Sequence, residues 1–227
     1  MDYERAVAAA PPGWRHFSID DVARLPREVR DHELARIPEG EPDERILRAL
    51  FWTFVYHLEP ERWDELARHE PIHPAIVEAL PRGLESGVDV GAGSGRLTAH
   101  LVRRCRKVIA VEPSAGLRAM LVDRLPSVQV HDAWADALPL ADAACDLVAA
   151  CGLVGPDHIV LEELHRVARP GGWIALVSPE QPEWFEAHGW RRLTAQPLEP
   201  PSHPPWIDDF FGQTDPPHEL VMTRRLP

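Results

Sequence analysis

The segment Val88-Asp89-Val90-Gly91-Ala92-Gly93-Ser94-Gly95-Arg96-Leu97 restricts the folds open to this chain more than any other stretch. An apolar run that ends in alternating glycines reads as a buried strand turning sharply into a helix. Glycine admits backbone angles and close approaches that other residues resist. Asp89 places a carboxylate at the mouth of that turn. Downstream, the apolar run Val108-Ile109-Ala110-Val111 ends in Glu112 and Pro113. A glycine turn followed by an acid at the end of the next strand suits a nucleoside, with the acid accepting both ribose hydroxyls.

Arg96 stands where the dinucleotide pattern G-x-G-x-x-G has its last glycine, so the motif is D-x-G-x-G-x-G. Two further segments follow in order. Ala135-Asp136-Ala137-Leu138-Pro139-Leu140 precedes the apolar Cys145-Asp146-Leu147-Val148, and Glu163-Leu164-His165-Arg166-Val167-Ala168-Arg169-Pro170-Gly171-Gly172 precedes another apolar run. Together these segments resemble the class I S-adenosylmethionine-dependent methyltransferases. The resemblance implies an α/β fold, a Rossmann-like seven-stranded mostly parallel sheet with an N-terminal helical cap, and S-adenosyl-L-methionine as cofactor. It implies that backbone at Gly91, Ala92 and Gly93, in a turn completed by Gly95, lies under the carboxypropyl chain and sulfur. Asp89 would hold the loop and the ligand's ammonium, Glu112 the ribose diol, and Pro113 would stiffen the turn beneath it. Trp134, Ala135 and Asp136 would line the adenine. Plain structural roles compete: Asp89 as a helix cap, Glu112 as a solvated strand end, Trp134 as core.

Alternating patterns place strands near 87–90, 107–111, 127–131, 145–150 and 173–178, and helices near 95–105, 114–124, 158–168 and 182–188. Such alternation predicts a parallel sheet covered on both faces, with ligands at the carboxyl ends of its strands. Trp190 to Ala195 suits a sixth strand and His218 to Arg224 a seventh, antiparallel in the resembled family. Residues 1–80 read as a helical cap region, with an N-cap signal at Ser18 and a wide apolar helical face over Asp43 to His57. Residues 81–227 read as the cofactor-binding core. A proline-rich insertion at about 196–217 carries Trp206, Phe210 and Phe211. Its length exceeds a hairpin's usual ~2–5 residues, and it reads either as a surface excursion packing its own aromatics or as a substrate lid or dimer arm.

Composition limits the partners. A net charge of −12 opposes sequence-independent nucleic-acid binding, which needs clustered cations. The one basic cluster, Arg103-Arg104-Cys105-Arg106-Lys107, reads as a solvated helix end. No apolar run approaches the ~20 residues of a membrane span, and no secretory signal is evident. Three cysteines without paired spacing suit reduced thiols and a cytoplasmic location. His69-Glu70-Pro71-Ile72-His73 fits the H-E-x-x-H zinc spacing, but Pro71 opposes the continuous helix that motif needs, so no metal is assigned.

Catalytic candidates are His73, His158 and Tyr56, for a hydroxyl acceptor that needs a base. For an amine, thiol or carbanion, alignment alone suffices. The expected function is methyl transfer to a small-molecule acceptor, with secondary metabolism as one setting. A non-methylating reaction on the same cofactor, such as cyclisation, and a non-catalytic binding protein of the same fold are the alternatives. A nicotinamide dehydrogenase is disfavoured by Arg96. The acceptor atom and any homo-oligomer stay open.

Overall fold

The computed structural model describes residues 10–34, 44–196, 203–212 and 214–226. The chain divides into two compact units, Met1–His69 with Pro201–Thr214, and Glu70–Pro200 with Asp215–Pro227.

The second unit is an α/β sheet structure. Its strands are β1 (Leu84–Val90), β2 (Cys105–Val111), β3 (Gln129–His131), β4 (Cys145–Cys151), β5 (Ala168–Val177), β6 (Arg191–Thr194) and β7 (Glu219–Arg224). They are ordered β3-β2-β1-β4-β5-β7-β6. Only β7 runs against its neighbours, pairing antiparallel with both β5 and β6. This is the Rossmann-like arrangement of the class I methyltransferase fold. The chain leaves β1 toward β2 on one side and returns to β4 on the other, so the switch point lies at the carboxyl end of β1.

Alternate residues of the central strands face opposite layers. Val88, Val90, Val148, Ala150, Ile174 and Leu176 pack against Val160, Leu164 and Val167 of the helix His158–Val167 and against Phe185. Ala110, Leu147, Ala149 and Ala175 pack against Ile76, Leu97, Leu101 and Leu121. Burial of both faces explains why these strands are near-continuous apolar runs.

The helix expected over 95–105 covers only Thr98–Leu101. Arg104 instead enters the sheet: its carbonyl accepts from Leu84 N–H at 3.0 Å, and Cys105 pairs with Leu84. The basic cluster is therefore a turn into β2 rather than a solvated helix end. Arg104 is buried and donates to the Leu80 carbonyl at 2.9 Å. Strand β5 also begins earlier than expected, at Ala168, directly after the helix that ends at Val167.

The first unit is helical. Ser18 opens a 3-10 turn, Ile19–Arg24, with its N–H donating to the Asp21 carboxylate at 2.6 Å. Helices α1 (Arg27–Glu33), α2 (Glu44–Leu58) and α3 (Pro60–His69) follow. The insertion supplies another helix, Pro205–Phe211. Its Phe210 and Phe211 are buried against Phe17, Phe51 and Trp52, so these aromatics form part of the core of the helical unit. Gly13 permits that packing, since a Cβ there would lie 2.5 Å from the Phe210 carbonyl oxygen. Residues 197–202 and 213 of the insertion lie outside the described residues.

Candidate functional site

The glycine turn leaves β1 through left-handed backbone at Gly91 (φ 66°) and Gly93 (φ 56°). Its amides are engaged by the fold. Gly91 and Ala92 N–H both donate to the Val111 carbonyl, at 2.8 and 3.0 Å, and Gly95 N–H donates to the Ala92 carbonyl at 3.0 Å. Gly93 N–H donates to Glu112 Oε2 at 2.8 Å. The helix that follows the turn has only four residues, Thr98–Leu101.

Glu112 follows the last residue of β2 and is 5% exposed. Its second oxygen, Oε1, accepts from Ser114 N–H at 2.8 Å. Each oxygen of a carboxylate has two acceptor sites, so one on each remains for a further donor. Burial pushes the Glu112 carboxyl up to about 7, opposed by the Ser114 and Gly93 amides and by Arg118. Arg118 joins two loops, donating to the Glu112 carbonyl at 2.8 Å and to Asp132 Oδ2 at 2.6 Å.

Asp89 is fully buried in β1. Thr98 O–H donates to its Oδ2 at 2.6 Å, whereas Oδ1 is buried with no hydrogen-bond partner. Burial pushes this carboxyl up to about 7 as well; the Thr98 bond opposes the shift and the Glu112 charge adds to it. A buried acceptor without a donor is costly unless a ligand or water supplies one.

Trp134, Ala135 and Asp136 are half-buried in the segment after β3, the strand that pairs with β2. The segment is pinned to the sheet's outer helix. Leu138 N–H donates to Glu163 Oε2 at 2.9 Å, and Arg166 donates to the Leu138 and Leu140 carbonyls at 3.0 and 2.7 Å. The E-x-x-R spacing thus places an acid and a base one helical turn apart to clamp the L-P segment.

The structure joins Asp89, the glycine turn, Glu112 and Pro113 at the carboxyl ends of β1 and β2. Of the three catalytic candidates, His73 and His158 belong to the sheet unit and Tyr56 to the helical unit. His158 is exposed at the first position of its helix, capped by Asp157, at the carboxyl end of β4. His73 caps the helix Pro74–Ala79, its Nδ1 accepting from Ala75 N–H at 3.0 Å. Tyr56 belongs to the helical unit, stacked on Trp52 and edge-on to Trp63. His69 ends α3 and His73 precedes the next helix, so the H-E-x-x-H spacing does not lie along one helix. Among the described residues no group of His, Cys, Asp and Glu is arranged to hold a metal. Nor is any helix there long and apolar enough to cross a membrane.

Sequence reasoning missed several residues. Thr98, Ser114 and Arg118 act by bonds to Asp89 and Glu112; only Ser114 had a local signal, as an N-cap. Leu153, just past β4, seats its side chain over Gly91, where a Cβ would meet Leu153 Cδ2 at 2.3 Å. Leu153 and Ile159 are exposed apolar residues on either side of His158.

Residues 88–176 match a family described as methyltransferase domain. The chain is 36% identical over 115 residues to an uncharacterised methyltransferase of Mycobacterium tuberculosis, covering 48% of this chain and 47% of that protein. It is 33% identical over 114 residues to a ubiquinone/menaquinone biosynthesis C-methyltransferase of Rubrivivax gelatinosus, covering 47% and 44%. The chain therefore spans about half the length of the curated relatives it matches. Among solved structures, a Thermotoga maritima protein described as an S-adenosylmethionine-dependent methyltransferase shares the fold. The TM-score is 0.52 at 20% identity, covering 78% of this chain and 98% of that one.

Proposed function

We propose that this chain, whose residues 88–176 match a methyltransferase-domain family, is a class I S-adenosylmethionine-dependent enzyme that transfers the donor's methyl group to a small-molecule acceptor with an apolar face. The observation that carries this reading is the bonded pair of Glu112 and Gly93, which joins the acid of β2 to the turn of β1. The residues fit the donor. Glu112 keeps an acceptor site on each oxygen for the two ribose hydroxyls, and the partnerless Asp89 Oδ1 suits the ammonium. Trp134 to Asp136 lead into the Leu138–Leu140 backbone that Glu163 and Arg166 bind, which supports a role for them in lining the base. When bound, S-adenosylmethionine supplies an electrophilic methyl on a sulfonium, so the protein's task is alignment and exclusion of water.

The acceptor side rests on Leu153 and Ile159. Exposed apolar side chains at the carboxyl end of β4 favour an apolar or aromatic acceptor over a polyanion, in keeping with the chain's acidic balance. His158 lies between them in the sequence and is exposed at the start of its helix, which supports it as the base for a hydroxyl acceptor. His73 has one ring nitrogen engaged as a helix cap, which favours a positioning role. The C-methylation named for the Rubrivivax relative is compatible with alignment without a base.

The test uses S-adenosylmethionine with a deuterated methyl and a panel of lipophilic phenols, amines, thiols and quinols, read by mass spectrometry. Labelled product from at least one panel member is expected. Labelled peptide or RNA in parallel reactions, with an unlabelled panel, would overturn the small-molecule reading.

A further inference from the structure

The loops that follow β4 and β5 leave the sheet side by side. Cys151, the last residue of β4, pairs with Val177, the last residue of β5, and Gly152 N–H donates to the Val177 carbonyl at 2.9 Å. Among the described residues, two of the three non-glycine positions with left-handed backbone, Ser178 (φ 42°) and Gln181 (φ 53°), bracket the turn after β5. Side chains resist that region, and it persists where surrounding contacts over-determine it. Those contacts are present. Ser178 N–H donates to the Glu219 carbonyl at 2.9 Å, Pro179 is buried, and Glu180 N–H donates to the Val154 carbonyl at 3.1 Å.

The turn thereby holds Glu180 across the β4 loop. Its Oε2 lies 3.1 Å from the point that a Cβ on Gly155 would occupy, so the lack of a side chain at Gly155 lets the two loops meet. The Glu180 side chain is exposed, and among the described residues no hydrogen bond or ion pair engages its carboxylate. The nearby Asp157 is committed elsewhere, its Oδ1 accepting from Ile159 and Val160 N–H at 2.9 and 3.3 Å. Leu153, two residues before Gly155, packs over Gly91 of the glycine turn and is also exposed. An apolar surface on the glycine turn is thus followed, two residues along, by an uncommitted negative charge.

We propose that Glu180 selects an acceptor that carries a cationic group beside its apolar face, the apolar part lying on Leu153 and the cation against Glu180. The proposal rests on the reading of this chain as a methyltransferase for small molecules, and it names the charge of the acceptor. The atom that is methylated belongs to the apolar part, because an ammonium nitrogen has no lone pair with which to attack the methyl group. A neutral acceptor gains nothing from Glu180, and a carboxylate is repelled by it.

The test uses protein saturated with S-adenosylhomocysteine and three probes of nearly one shape: tyramine, para-ethylphenol and para-hydroxyphenylpropionate, which are cationic, neutral and anionic near neutral pH. Affinities are measured by calorimetry at physiological salt, where charges beyond about 8 Å are largely screened. Wild-type protein is expected to bind tyramine about 3- to 10-fold more tightly than para-ethylphenol, between an exposed ion pair and a charge-assisted hydrogen bond, and the propionate least. Glu180→Gln is expected to bring tyramine within about twofold of para-ethylphenol while leaving the affinities for para-ethylphenol and S-adenosylhomocysteine unchanged. Glu180→Lys is expected to place the propionate first.

Equal wild-type affinity for tyramine and para-ethylphenol overturns the proposal without any variant. So does a preference for tyramine that survives in Glu180→Gln, which would assign it to the negative charge of the whole chain. Loaded wild-type protein that binds none of the three probes overturns it as well. If the protein does not bind S-adenosylhomocysteine, the donor reading itself fails, a different result from any of these.

Discussion

Replacing Glu112 by glutamine should separate the stability of this fold from its ligand binding, in a way that depends on pH. The wild-type carboxyl is buried, and its pKa stands at about 7 in the folded protein against an ordinary 4.5. The folded state therefore holds a proton that the unfolded chain releases between these values. Stability from this group is fully present below about pH 4.5 and is lost as pH rises through about 7. The difference, 7 − 4.5, is about 2.5 units, or about 3 kcal/mol in full, of which about 2.5 kcal/mol falls between pH 5 and pH 8. Glutamine cannot ionise, so Glu112→Gln does not incur that loss. Its amide can accept from Gly93 or Ser114 but not from both, which costs about 1–3 kcal/mol. That cost does not vary with pH. The difference in unfolding free energy, variant minus wild type, should thus rise by about 2–3 kcal/mol between pH 5 and pH 8, measured by urea denaturation. Binding of S-adenosylhomocysteine should change in the opposite sense. Wild-type affinity should increase with pH through about 7 as the carboxylate forms, while the variant's should be weak and flat. A stability difference that is constant with pH would show that Glu112 is ionised throughout, and the burial argument would fail.

Other outcomes follow from the geometry. Gly93→Val should leave the circular dichroism spectrum unchanged but remove S-adenosylhomocysteine binding in calorimetry, because a β-branched residue resists φ 56° and its amide is the Glu112 partner. Normal binding by the folded variant would make the turn merely structural. Phe210→Ala should destabilise the helical unit by about 3–5 kcal/mol in chemical denaturation, as expected for a buried aromatic, and a loss under 1 kcal/mol would mean the insertion is not part of that core. With an acceptor in hand, His158→Ala should lower kcat more than it raises KM if a hydroxyl is methylated. An unchanged kcat in both His158→Ala and His73→Ala would assign the reaction to alignment alone.

The cofactor side of this protein was legible in its sequence because it is built from short-range spacing. A strand, three alternate glycines and an acid ending the next strand are encoded within one β-α-β unit, where chain connectivity leaves few arrangements. The strands of the core were readable for a related reason, since burial on both faces demands continuous apolar runs. What the sequence left open depended on partners distant along the chain. Arg104 reads as the end of a helix until Leu84 recruits it into the sheet, 20 positions away (104 − 84). Phe210 and Phe211 read equally as a lid or as packing until Phe17 and Phe51 are seen against them. Periodicity tells which side chains must leave water, but not which surface receives them. The same holds for charge: Asp89 and Glu112 are visible as acids, but only burial makes them titrate near neutrality. Only the fold leaves one Asp89 oxygen buried without a donor.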